Sequence, residues 1–216
     1  MALTTYDELQ TAVANWLDRS DLTSRIPEFI ALTEARLNRR LRTRETSEIA
    51  TASVSSEFTA LPTDFLDDRA LRITDGTNIY ELMRESPEVI SQWKSWNNAT
   101  SIPQFYTIQG AEFQVYPSPN ATFTATLIYR QKVPALTTSN TSNWVLVKAP
   151  DLYLYGALLQ AAPYLRDPEA LASWTVLFEQ ALSELITSER PTVGTLRVDD
   201  GLQTPRQYRF NINRGW

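Results

Sequence analysis

The chain has 216 residues, a formal charge of −5 and 43% hydrophobic residues, among them six Trp, nine Tyr and eight Phe. That is enough apolar material for one two-lobed domain, and it excludes disorder over most of the length. With no His and no Cys, the commonest general base, the usual metal ligand, Ser-His and Cys-His nucleophile systems, disulfides and thiolate metal sites are excluded.

Met1-Ala2-Leu3-Thr4-Thr5 lacks the basic and apolar regions of a signal peptide, and no apolar run reaches the ~18–20 residues of a membrane span. No export and no membrane partner are expected. Thr5 and Glu8 have the spacing of a capping box, in which each side chain satisfies a free backbone N–H of the other. Leu9, Val13, Trp16 and Leu17 then fall on one helical face. Asp21 or Ser24 is expected to open a second helix, with Pro27 in its first turn and Ile26, Phe29, Ile30, Leu37 and Leu41 as its apolar stripe.

From about residue 47 the pattern changes to short runs of β-formers between turn signals. Strands are predicted at 48–55, 58–61, 69–74, 78–83, 104–108, 112–116 and 122–130. Asp75-Gly76-Thr77 reads as a hairpin turn with Gly supplying positive φ. Ser86-Pro87-Glu88 opens a short helix carrying Val89, Ile90, Trp93 and Trp96. In 122–130, Phe123, Ala125 and Leu127 alternate with threonines, so one face is drier. A polar loop at 137–143 closes the segment.

Pro150 can open a helix to about 162 that is apolar nearly all round and must be covered on most sides. Gly156 inside it implies close approach by a neighbour, because a helical glycine otherwise costs stability. Asp167-Pro168-Glu169 opens a last helix with Leu171, Trp174, Phe178, Ala181, Leu182, Leu185 and Ile186 on one stripe, ending before Pro191.

The expected fold class is α+β. Residues 1–46 and 149–189 supply helices that form a helical bundle, 47–148 form a central antiparallel β-rich lobe with one short helix, and 190–216 form an extended C-terminal tail. In that tail Tyr208-Arg209-Phe210-Asn211-Ile212-Asn213 alternates like a strand, and 202–216 carry Arg206, Arg209 and Arg214 with no acid. Such a segment suits addition to a sheet edge, of its own subunit or of another.

Little in the chain suggests chemistry. Ser91-Gln92-Trp93-Lys94 matches S-x-x-K without its companion motifs, and no glycine pattern for cradling phosphates occurs. Asp64, Asp67 and Asp68 read as loop solvation, since no shaped oxygen-ligand loop surrounds them. No catalytic residue, cofactor or metal is expected, and the chain reads as a non-enzyme. Arg36, Arg39, Arg40, Arg42 and Arg44 crowd the end of the second helix. They suit either its C-terminal dipole and a solvated face or a contact with an acidic partner surface or with DNA, which the resemblance described below makes an inter-subunit or channel contact. Trp93, Trp96, Tyr106 and Tyr116 allow the alternative of a glycan- or ligand-binding module, set against simple burial of these rings.

Five segments resemble the head-to-tail adaptor (connector) proteins of tailed bacteriophages and, more distantly, the tail tubular protein A of short-tailed phages. They are Leu3-Thr4-Thr5-Tyr6-Asp7-Glu8-Leu9 with Ala14-Asn15-Trp16-Leu17, Ile26-Pro27-Glu28-Phe29-Ile30, Glu34-Ala35-Arg36-Leu37-Asn38-Arg39, Leu61-Pro62-Thr63-Asp64-Phe65-Leu66 and, most specifically, Ala149-Pro150-Asp151-Leu152-Tyr153-Leu154-Tyr155-Gly156-Ala157-Leu158-Leu159. The resemblance implies a structural virion protein at the head–tail interface, assembled in the host cytoplasm. It implies a closed ring of roughly twelve copies, which needs a heterologous interface between identical chains. The implied partners are the portal protein on one side, a tail nozzle or tail terminator protein on the other, and genomic DNA passing non-specifically through the channel during ejection. Arg206, Tyr208, Arg209, Phe210, Ile212, Arg214 and Trp216 are the expected portal-docking residues.

Overall fold

The computed structural model describes residues 3–19, 21–98 and 100–189, apart from the side chain of Arg44. Among them are six α-helices: α1 (Tyr6–Leu17), α2 (Ile26–Arg40), α3 (Pro87–Trp96), α4 (Trp144–Lys148), α5 (Pro150–Leu165) and α6 (Pro168–Ser188). The strands are β1 (Ser47–Val54), β2 (Phe58–Ala60), β3 (Phe65–Thr74), β4 (Ile79–Arg84), β5 (Thr100–Ser101), β6 (Phe105–Gln109), β7 (Glu112–Tyr116), β8 (Ser118–Pro119) and β9 (Phe123–Gln131). The chain is mixed α+β.

The local signals work as their chemistry requires. Thr5 Oγ1 accepts from Glu8 N, while Glu8 Oε2 accepts from Thr5 N at 3.0 Å and Thr4 N at 2.8 Å, completing the capping box. The second helix starts later than expected. Arg25 is its N-cap and makes no side-chain cap, because a guanidinium has only donors; Pro27 preorganises the first turn, and Asp21 is engaged by Arg19 at 2.7 Å. At the hairpin, Gly76 has φ +96°, and Asp75 accepts from Thr77 N at 2.8 Å and Asn78 N at 2.7 Å. Those two N–H groups, Asn78 first, hold the Asp75 carboxyl down at about 2.

Seven strands form one sheet in the order β1-β9-β3-β4-β6-β7-β2. Its two end strands, β1 and β2, approach each other, so the sheet is nearly closed. The lobe is not wholly antiparallel. β4 pairs with β6 in parallel, Met83 opposite Phe105, because α3 crosses over between them and returns the chain in the same direction. The short β5 and β8 also pair in parallel. Inside the sheet Val54, Leu71, Ile73, Leu82, Tyr106, Phe113, Val115, Phe123, Ala125, Leu127 and Tyr129 form a core.

A second, larger core belongs to the helices. α5 lies against α1, α2, α4 and α6, which explains why it is buried on nearly every side. Ile26, Phe29, Ile30, Leu37 and Leu41 are all buried there, as their spacing predicted. Val133 and Leu136, in the strand-to-helix connection, pack with the helices rather than the sheet. Val133 N donates to Asn38 Oδ1 at 2.7 Å, and Arg130 Nη1 donates to the carbonyls of Asn38 and Leu41 at 3.3 and 3.2 Å. The connection is therefore fastened to α2, and the sheet with it.

Two buried polar residues, Glu34 and Asn143, lie at that fastening. Glu34, on α2, accepts from Leu136 N at 2.8 Å and from the Tyr153 hydroxyl at 3.2 Å. Asn143 Nδ2 donates to the Tyr153 oxygen at 2.6 Å and to Pro134 O at 2.8 Å, while its Oδ1 caps α4 through Leu146 N. Burial raises the Glu34 carboxyl above its ordinary value, outweighing the two hydrogen bonds that favour its charge. No helix among the described residues is long and apolar enough to cross a membrane.

Candidate assembly surfaces

The five arginines at the end of α2 divide into different environments. Arg36 and Arg40, four residues apart, share one helical face. Both reach Glu179 of α6: Arg36 Nη2 donates to Glu179 Oε1 at 3.2 Å, and Arg40 Nη1 makes a closer ion pair with the same oxygen. The Arg36 guanidinium also lies 4.8 Å from the centre of the Phe178 ring, a favourable cation–π distance. The Arg40 hydrogen bond, followed by the nearby positive charges, holds the Glu179 carboxyl below its ordinary value. These two arginines clasp α2 to α6. Arg39 and Arg42 are exposed and form no ion pair among the described residues, and the side chain of Arg44 lies outside those residues.

The aromatic residues of the sheet lobe do not meet in one cleft. Trp93 packs on Phe105 at 4.7 Å and on Tyr116 at 5.9 Å between ring centres. The Tyr116 hydroxyl donates to the carbonyl of Asn97 at 2.8 Å, pinning the end of α3 to the sheet. Tyr106 is buried and donates to Asp68, whose other oxygen takes Arg84 Nη1 at 2.7 Å. Burial, then the Asp68 bond, pushes the Tyr106 phenol far up, so it stays a donor. Only Trp96 of the four stands clear, 72% exposed.

The aspartates read as a solvated loop prove to be structural. Asp67 and Asp68 lie within β3, where the pairing with β9 shifts register twice, between Phe65 and Asp67 and between Asp68 and Ala70. Such bulges re-aim side chains. Asp64, just before the strand, accepts from Tyr129 at 3.0 Å, and burial followed by that bond pushes the Tyr129 phenol up to about 12. Asp68 is desolvated with Arg84 and Tyr106 as partners. Among the described residues no group of three or more His, Cys, Asp or Glu side chains could hold a metal ion. Lys94 of the S-x-x-K segment is ion-paired with Glu57 at 2.6 Å, and Ser91 donates to Pro87 O within its own helix.

What the surface offers is apolar. Ile49, Ile79 and Met83 are exposed on the outer face of the sheet. On the helical side Trp16 is 52% exposed rather than buried with Leu9 and Val13, because it lies at the end of α1 against Tyr155 at 6.2 Å and Trp174 at 5.6 Å. Val176, Leu171 and Tyr164 are likewise exposed on the helices. Sequence periodicity placed Trp16 and Trp174 on apolar stripes but could not show that both reach the rim.

The expected docking residues Arg206, Tyr208, Arg209, Phe210, Ile212, Arg214 and Trp216 lie outside the described residues. No curated protein matches the chain. A family model described as SU10 adaptor protein matches residues 4–199, covering both the helical core and the sheet. The chain therefore belongs to the SU10 adaptor protein family, a family of phage adaptor proteins.

Proposed function

We propose that the protein is a non-enzymatic structural subunit of the virion, forming a ring of roughly twelve copies between the portal and the tail nozzle or tail terminator. The family match from 4 to 199 carries this reading, because it spans the whole two-lobed body rather than one motif. The exposed apolar groups Ile49, Ile79 and Met83 on the sheet and Trp16 and Val176 on the helices supply dissimilar surfaces. A ring closed by a heterologous interface uses two such surfaces. Arg39 and Arg42, exposed at the end of α2, act at the contact between subunits or along the channel through which DNA passes on ejection. The segment from Arg206 to Trp216 docks on the portal, and the architecture is related distantly to tail tubular protein A. Subunits join the particle in the host cytoplasm.

The test is the native mass of the purified protein, alone and mixed with portal. Conversion of free subunits into one large complex with portal supports the reading. Deletion of residues 202–216 should leave the body folded and abolish that complex. A protein that stays solitary beside portal removes the ring and the docking together. A truncated protein that binds as well as the full chain removes the docking role alone.

A further inference from the structure

The sheet fails to close at one place, between β1 and β2, and residue size explains the gap. β1 and β2 are the end strands, and each pairs with a single neighbour. Between them runs a groove of about 240 Å³ lined by Ala50, Ala52, Ala60, Leu61, Phe113 and Leu127, among others. The inward-facing positions of β1 are Ala50, Ala52 and Val54, since the alternate Thr51 and Ser53 are exposed. Alanines at two of these positions leave core-facing space that no side chain of the described residues fills. Beside it, the outer edge of β1 presents unpaired N–H and C=O groups, a template for one more strand.

The end of the described chain is tied, through one lysine, to the segment that leads into β1. Lys148 Nζ donates both to Glu189 Oε1, at 2.6 Å, and to Glu45 Oε1, at 2.9 Å. Glu45 stands two residues before β1 begins at Ser47. Glu189, after which residues 190–216 follow, is thus held one lysine side chain away from the approach to β1. Eighteen residues, 190–207, precede Tyr208, a length that spans up to roughly 60 Å when extended, so reach along β1 is no obstacle. Charge agrees as well. Residues 202–216 hold three arginines and no acid, whereas the rims of the seam carry exposed Glu48 on β1 and exposed Glu112 opposite Ala60.

We propose that Tyr208-Arg209-Phe210-Asn211-Ile212-Asn213 adds as a strand to the free edge of β1 in its own subunit, seating Phe210 and Ile212 in the alanine-lined seam. The proposal does not depend on portal docking. It describes where the segment rests in the free subunit, and a portal would have to draw it out. The seam then serves as a store for the docking strand and keeps an adhesive edge covered before assembly.

The chain contains no cysteine, so an engineered pair can bond only to itself or to another copy. Asn211→Cys is combined, in three separate full-length proteins, with Ile49→Cys, Thr51→Cys or Ser53→Cys, all exposed positions on β1. Disulfides need Cα atoms about 4.4–6.8 Å apart, and three successive outward positions sample the registers an added strand can take. Mild oxidation should close an intramolecular bond in at least one protein, with a yield unchanged by tenfold dilution. In the cysteine-free chain, Phe210→Asp with Ile212→Asp should speed amide exchange in β1 at least tenfold. Disulfide-linked dimers that vanish on dilution would show that a second copy fills the seam and would overturn the proposal. Absence of any cross-link, with β1 exchange unmoved by the double variant, would overturn it as well. Portal binding plays no part in either measurement, so failure of the docking role leaves both results readable.

Discussion

Gly156 on α5 lies directly against Thr33 on α2: a Cβ at residue 156 would fall on the Thr33 γ2 methyl, with Thr33 Oγ1 at 3.1 Å and Phe178 Cε2 at 3.2 Å beyond it. Three helices meet at this point, and the space for a methyl group is already taken. Gly156→Ala should therefore destabilise by roughly 1–3 kcal/mol, although alanine favours a helix by about 1 kcal/mol. Thr33→Ser removes the obstructing methyl and keeps a hydroxyl for Phe29 O, which Thr33 holds at 2.8 Å. The double variant Gly156→Ala/Thr33→Ser should recover much of the loss in urea denaturation. Simple additivity of the two changes would contradict the contact.

The buried Glu34 makes a pH prediction whose sign is fixed by desolvation. Its carboxyl is raised in the folded state, so its contribution to stability is full below the ordinary carboxyl value and is lost as pH rises through the raised one. Glu34→Gln keeps an oxygen for Leu136 N and Tyr153 without the charge. Relative to wild type it should gain stability as pH rises from 4 to 8. Glu34→Ala leaves both donors unmatched and should cost about 1–3 kcal/mol at either pH. Urea midpoints at the two pH values check both variants.

Glu179 works in the opposite sense. Its carboxyl is lowered by Arg40 and Arg36, so the clasp is present above the ordinary carboxyl value and lost as pH falls through the lowered one. The pair is partly exposed, and Glu179→Ala should cost less than ~1 kcal/mol, shrinking further in high salt. Glu179→Lys sets three cations together and should cost more. Thermal melts at low and high salt separate the charge effect from packing.

These pairings mark the boundary of what the sequence made legible. The capping box at Thr5, the Gly76 hairpin, the stripe from Ile26 to Leu41 and the crowding at Gly156 are local patterns, each with a local cause. The Glu179 clasp was not legible, because its partners stand 143 and 139 residues away and five arginines within nine residues gave no sign of which ones face inward. Asp67 and Asp68 were misread for a related reason. Aspartate disfavours strands, but at Asp68 tertiary partners, Tyr106 and Arg84, override the propensity. α4 escaped notice because five residues are too few to show a period. The parallel pairing of β4 with β6 depends on where α3 docks, which no strand pattern records.

Arg39 and Arg42 allow the proposed assembly contact to be tested apart from folding. Both are exposed and outside the Glu179 clasp, so Arg39→Gln/Arg42→Gln should leave the stability of the isolated subunit within about 1 kcal/mol of wild type. The same double variant should prevent the portal-dependent complex. Native mass of the variant mixed with portal reads this directly, and an undiminished complex would remove these residues from the subunit contact and the channel alike.

The position of α5 in the chain imposes an order on biosynthesis. All seven strands of the main sheet have been synthesised once Gln131 is made, so that lobe can settle as it emerges while translation continues. The first two helices have no such option. Their oily sides wait for residues 150–165, which are translated more than a hundred residues after α2 ends. During that interval the nascent protein carries a finished half and an unfinished one, and a chaperone that shields amphipathic helices would find its substrate at the amino terminus.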